Sequence, residues 1–117
     1  MQIQPTDYQG TVPVEGYGPG FFRVDGQVLN GPVLVTGGGV QPWGGLDDDA
    51  PLTGLAGQVD VLFLGIGAQI AAAPRDLVQR LEAAGVMVET MITPSAARTY
   101  NVTLSEGRRV ACALIPV

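Results

Sequence analysis

Val86-Met87-Val88-Glu89-Thr90-Met91-Ile92-Thr93-Pro94 decides how this chain folds. Seven residues rich in β-branched and apolar types read as a strand. Proline fixes φ near the helical value and has no N–H to satisfy, so Pro94 suits the first turn of a helix. Thr93 is placed to cap that helix. A strand therefore runs straight into a helix. The pattern repeats outward in both directions. Upstream, Pro74 to Ala84 reads as a helix that places Leu77, Val78, Leu81 and Ala84 on one face, and Gly85 is its left-handed stop. Before it, Val59 to Leu64 reads as a buried strand. Downstream, the second helix runs to about Glu106, Gly107 closes it, and Arg108 to Ile115 forms a last strand. Strand, helix, strand, helix, strand with short loops implies a parallel or mixed sheet.

The first half reads as β-structure. Phe21 to Val24 and Gln27 to Leu29 flank Asp25-Gly26, a pair suited to the positive φ angles of a two-residue hairpin turn. Asn30-Gly31 is a second turn signal. Val33 to Val35 is a further strand ended by Gly37-Gly38-Gly39. Val40 to Trp43 is a short one, which Pro42 confines to an edge or an end. Asp47-Asp48-Asp49 solvates a loop or opens a short helix near Pro51 to Gly57. The expected architecture is a single α/β domain over residues 1–117. It has three layers, a mixed central sheet, an N-terminal hairpin region and two main helices.

Composition narrows the chemistry. The 117 residues include no His, no Lys and one Cys. A nucleophile activated by an imidazole, a Walker-type phosphate loop and a Schiff base each need a residue this chain lacks. One Cys supplies neither a zinc site nor an intrachain disulfide, so no metal and no cofactor is expected. The formal charge of −5 argues against a nucleic-acid surface. Residues 90–117 differ from the rest, with Arg98, Arg108 and Arg109 against Glu106 alone. A small cationic patch on an acidic protein suits one small anion or an acidic partner surface, or simple pairing with the chain's own acids. Mean hydropathy is +0.27, yet the longest nearly apolar stretch, Val61 to Ala73, is too short to span a membrane. The first residues lack the basic and apolar regions of a targeting peptide, so a cytoplasmic setting is expected.

Leu64-Gly65-Ile66-Gly67 follows a strand, where a dinucleotide-binding turn would sit. Ile70 occupies the place of the third glycine, and the next helix begins too late to meet a pyrophosphate. Close passage of two chain segments explains small residues there equally well. Cys112 lies in an apolar strand and reads as a buried small hydrophobe. Trp43, the only Trp, either closes the core or anchors a partner. Thr93 to Asn101 is the most polar segment beside a strand end. Arg98 with the free N–H groups of a helix start would hold a carboxylate or phosphate; the plainer reading is a capped helix whose Arg98 pairs with Glu106.

Met91-x-Thr93-x-x-Ala96-x-Arg98-Thr99-Tyr100-Asn101, continuing Leu104-x-Glu106-Gly107-Arg108-Arg109-Val110, resembles a motif of the small Mth-type domain family. Phe21 and Gly26, Val33 to Val35, Trp43 and Val61 to Gly67 extend the likeness over nearly the whole chain. Ala97 and Ile66 depart from it, where the family often has Cys and Thr. That family, long grouped as a domain of unknown function, includes the third assembly factor of mitochondrial complex I and adipogenesis-associated proteins of animals. The resemblance implies a bacterial relative of an assembly factor and supplies no reaction. It also implies that Thr93, Arg98, Tyr100, Asn101, Glu106 and Arg108 gather around one cleft. The expected function is therefore non-enzymatic binding connected with complex I assembly, with complex I subunits or other assembly factors as partners. The alternatives are a small-anion site or enzyme around Arg98, and a purely structural role for the motif. Trp43 and the exposed edge of the first hairpin make a homodimer conceivable.

Overall fold

Side chains alternate across a strand, so a sheet buried on both faces needs apolar residues at every position. Two segments of this chain meet that demand, and they lie at the centre of the fold. The computed structural model describes residues 6–69 and 74–117. The strands in chain order are β1 (Val14–Gly18), β2 (Phe21–Val24), β3 (Gln27–Asn30), β4 (Val33–Thr36), β5 (Gly39–Pro42), β6 (Val61–Gly65), β7 (Val88–Met91) and β8 (Val110–Leu114). The helices are α1 (Ala50–Thr53), α2 (Arg75–Ala83) and α3 (Thr93–Ser105).

Five strands form a mixed sheet in the order β5-β4-β8-β6-β7. β6 runs parallel to both β7 and β8, and β4 runs antiparallel to β8 and β5. β6 and β8 are buried at every residue. Their alternation sorts two cores. Val61, Phe63, Val110, Cys112 and Leu114 face α3. Leu62, Leu64, Ala111 and Ala113 face the opposite side, where α2 contributes Leu77 and Leu81 and α1 contributes Leu52. Arg80 Nε donates to Asp49 Oδ2 at 2.8 Å and ties α2 to the start of α1. The second sheet, β1-β2-β3, is antiparallel and lays Phe22 and Val24 on the α3 side of the core. The three-layer expectation holds, with the N-terminal strands as a separate sheet.

Several sequence expectations find their physical cause here. β2 and β3 are joined through Asp25-Gly26 alone, both at positive φ, as a two-residue turn requires. β4 and β5 make a second two-residue hairpin around Gly37-Gly38. Gly39 therefore opens β5, where the sequence suggested that it ended β4. Pro42 lies at the end of an edge strand, where its missing N–H is harmless. β7 is shorter than Val86 to Ile92, because Val86 is committed to closing α2. Its N–H bonds to Leu81 O at 2.9 Å while Gly85 N–H bonds to Glu82 O at 3.0 Å. Gly85 takes φ +93°, which a side chain resists, so the helix stops there. On α2 the buried face is Leu77 and Leu81, with Val78 half-buried and Ala84 exposed. Residues 70–73, including Ile70 and the end of the Val61 to Ala73 stretch, lie outside the described residues, as do residues 1–5.

β1 is an element the sequence did not announce. It carries one extra residue against β2 between Val14 and Gly16. That bulge bends the strand.

Gly65 is required by close approach. A Cβ there would sit 2.9 Å from Thr93 Cα, Thr93 Oγ1 and Leu114 Cδ2. The start of α3 packs directly on the end of β6, and a methyl group would drive them apart. Gly65→Ala is expected to destabilise the protein by about 1–3 kcal/mol in urea unfolding. Gly54→Ala, whose Cβ would meet Ala50 O and Pro51 O at an ordinary 3.6 Å, is expected to cost no stability.

Candidate functional site

The polar motif on α3 is built from three side chains that each reach a different part of the chain. Thr93 is fully buried, although it is the first residue of a helix. Its Oγ1 donates to Ile115 O at 2.6 Å and accepts from Gly67 N–H at 2.9 Å. Its own N–H donates to Gly67 O at 2.8 Å. Thr93 thus joins the ends of β6 and β8 to the start of α3. It is not the expected cap: Ile92 holds that position and no side chain caps the helix. The reason is geometric, since the hydroxyl points into the layer where two buried backbone groups need partners.

Two turns along, Tyr100 is fully buried and its hydroxyl donates to Val12 O at 2.7 Å. Asn101 bonds both sides of one residue. Its Oδ1 accepts from Val14 N–H at 2.9 Å and its Nδ2 donates to Val14 O at 2.8 Å. An amide side chain thereby completes the outer edge of β1 as a neighbouring strand would. Val12 N–H donates to Gly37 O at 3.1 Å. The segment before β1 is thus tied to α3 and to the β4–β5 turn.

The expected single cleft is not assembled. Arg98 and Asn101 line a groove of about 320 Å³ between α3 and β1, with Pro94, Val102 and Tyr17 beside them. Arg108 lines a different groove of about 430 Å³ past the far end of α3. Tyr100 and Thr93 lie in the interior, and Glu106 is exposed and lines neither groove. The cause is the length of α3. Thirteen residues separate its ends by about 20 Å, so Thr93 and Arg108 cannot serve one small site. The structure also leaves little at the helix start for an anion, because Thr93 N–H is taken by Gly67 O and Pro94 has none.

The arginines differ in their pairing. Arg109 bonds Asp60 at 2.9 Å, Arg80 bonds Asp49, and Arg23 lies 3.9 Å from Glu15. Among the described residues, Arg98 and Arg108 make no salt bridge, so Arg98 does not pair with Glu106. Trp43 is only 4% exposed, and its indole N–H donates to Asp48 O at 2.7 Å. It closes the core against α1 and α2, which leaves little ring surface for a partner. The Gly65-Ile66-Gly67 turn is bonded to Thr93, Met91 and Ile115, which accounts for its small residues without a nucleotide.

Burial governs the two weak acids of the α3 core. It pushes the Cys112 thiol well above its ordinary range, so the thiol stays neutral and unreactive. Burial, with a smaller contribution from Cys112, pushes the Tyr100 phenol above its ordinary range too. Among the described residues, no group of three His, Cys, Asp or Glu is placed to hold a metal. None of the helices described is long and apolar enough to cross a membrane.

The chain belongs to the family described as protein of unknown function (DUF498/DUF598), whose model matches residues 14–115. It is 56% identical over 117 residues to an uncharacterised protein of Rhodobacter capsulatus, covering 100% of this chain and 94% of that one. It is 33% identical over 114 residues to NADH dehydrogenase (ubiquinone) 1 alpha subcomplex assembly factor 3 of Danio rerio, covering 92% of this chain and 65% of that protein. The chain thus spans just under two thirds of that assembly factor. A solved structure from Bordetella pertussis, described as a Mth938-like domain, is similar at TM-score 0.78 and 27% identity, covering 99% of this chain and 92% of that chain. The resemblance to the Mth-type family holds. The α3 motif marks it, and the structure shows three of the motif's side chains holding the fold.

Two kinds of outcome follow. Asn101→Ala leaves the Val14 amide and carbonyl without partners and is expected to cost about 1–3 kcal/mol in urea unfolding. Arg98→Ala is expected to change stability by less than about 0.5 kcal/mol. The second kind concerns pH. The unfolded chain ionises Cys112 and Tyr100 near 9.0 and 10.0, while the folded chain keeps both protonated. The folded state then binds more protons, so stability is full below those values and falls as pH rises through them. Chemical unfolding is expected to give a flat stability from about pH 6 to 8, in the absence of His. Above about pH 9 it is expected to decline, more gently in Cys112→Ala measured against its own neutral value.

Proposed function

We propose that this protein is a non-enzymatic binding component that assists the assembly of respiratory complex I. One observation carries the reading: the kinship with a protein named as a complex I assembly factor extends over 92% of this chain. The chemistry of the chain agrees with it. There is no His and no Lys, the one thiol is buried and neutral, and Thr93, Tyr100 and Asn101 are committed to backbone partners. What the domain offers is surface. The groove between α3 and β1 has the features of a contact site. Arg98 stands there without an acid partner, beside Tyr17 and Val102, two of the four large apolar side chains exposed on the described molecule. Complex I subunits or other assembly factors are the proposed partners, met in the cytoplasm.

Binding of a small carboxylate or phosphate at Arg98 is the second reading. The unpaired guanidinium in a groove favours it, and the occupied amides at the start of α3 weigh against it.

A tagged pull-down from the native host, quantified by mass spectrometry, tests the choice. Complex I subunits or a further assembly factor are expected to enrich with the wild type and to fall away with Arg98→Ala, which leaves the fold intact. Enrichment of no complex I protein, or a host without complex I genes, overturns the assembly reading. Loss of a phosphate- or citrate-induced rise in melting temperature in Arg98→Ala would instead favour the anion.

A further inference from the structure

A second groove lies past the C-terminal end of α3 and shares only Tyr8 and Ser105 with the groove proposed above as a contact surface. It is bounded by the segment before β1, the Gly37-Gly38 turn, the stretch following α1 and the loop from α3 into β8. Its volume of about 430 Å³ falls in the range of small-molecule sites. The lining is divided in character. Leu55, Leu104 and Val110 give it an apolar floor, and Thr36 and Arg108 stand among its polar residues.

Arg108 is held where it is by the end of α3. Its N–H bonds to Thr103 O at 3.2 Å and the N–H of Gly107 bonds to Leu104 O at 3.0 Å. This is the same double closure that ends α2, and it fixes the backbone from which the guanidinium extends. The neighbouring cation is not available in the same way, because Arg109 is paired with Asp60 and also donates to Gly57 O. The groove therefore presents one unpaired guanidinium over an apolar floor.

We infer that this groove binds a small monocarboxylic acid with an apolar body, its carboxylate on Arg108 and its body over Leu55, Leu104 and Val110. The charge pattern selects a single negative charge. Asp7 also lines the groove, the carbonyl end of α3 carries partial negative charge there, and the whole chain has a formal charge of −5. A phosphate or other multiply charged anion meets repulsion that one guanidinium does not offset. A neutral apolar molecule leaves the guanidinium without its counter-charge. A carboxylate accepts both N–H groups of one guanidinium edge, and an apolar body displaces water from the floor.

Octanoate serves as the probe, with octanol and inorganic phosphate as comparisons, in a two-dimensional amide NMR titration of the full chain. Saturable shifts are expected with octanoate for Thr36 to Gly38 and for Leu104 to Val110. Arg108→Ala, with an otherwise unchanged spectrum, is expected to weaken binding about tenfold or more. Arg98→Ala is expected to leave it unchanged, which separates this groove from the contact surface. Should Arg108→Ala disturb the fold, Arg108→Gln keeps the length of the side chain and removes the charge. The inference is overturned if octanoate shifts none of these amides, if both Arg108 variants bind it as the wild type does, or if octanol or phosphate binds the groove equally well. Failure of the pull-down leaves this result untouched, and the reverse is also true.

Discussion

Thr93 is the constraint on which the arrangement of layers depends. Its hydroxyl and amide bond to three backbone groups, on Gly67 and Ile115, at the point where β6 and β8 end and α3 begins. Those groups lie beside a sheet whose own ladder has stopped, Gly67 buried and Ile115 half-buried, and an unpaired one would carry a desolvation cost. The same corner demands Gly65, because nothing larger than hydrogen fits between β6 and the helix. Once α3 is seated there, its thirteen residues run along the face made by β6 and β8, and Tyr100 and Asn101 arrive opposite the segment before β1.

From that geometry follows a division of labour on one helix. Ala96, Ala97, Tyr100 and Leu104 face the core. Asn101 stitches the smaller sheet to the larger body. Arg98 and Val102 face outward, where they meet Tyr17 across a groove. Residues adjacent in the motif therefore differ in kind. Tyr100 and Asn101 maintain the fold, and Arg98 between them and Thr93 is the one left to solvent. A long polar motif invites a catalytic reading, and here three of its polar side chains, Thr93, Tyr100 and Asn101, are consumed by backbone groups of the chain itself.

How far the sequence revealed this differs by element. The β6-α2-β7-α3-β8 alternation was legible because β6 and β8 are continuous apolar runs, β7 lies in a stretch rich in β-branched residues, and the helices are punctuated by Pro and Gly. The β2–β3 hairpin was legible because Asp25-Gly26 admits few other conformations. β1 was not: Gly16 and Gly18 weaken its pattern, and its outer partner is a side chain 87 residues away. Thr93 looked like a helix cap because local sequence favours that reading, whereas its true partners come from β6 and β8. The six motif residues seemed to share one cleft because a linear motif conceals the length of the helix that carries it. Arg108 belongs to another groove for that reason alone. Trp43 admitted two readings, and burial against Leu52 and Leu77 decided for the core.

Native-state hydrogen exchange tests the central claim most directly, namely that the α3 motif is chiefly a clasp. The informative amides are Gly67, bonded to Thr93 Oγ1, and Val14, bonded to Asn101 Oδ1. Gly67 lies outside the strands and Val14 opens β1 with its N–H directed to Asn101, so in both cases the partner is a side chain of α3. The account expects both to exchange with opening free energies close to those of β6 and β8, the level of global unfolding. Exchange of either at the rate of an exposed loop, while β6 and β8 stay protected, would contradict it.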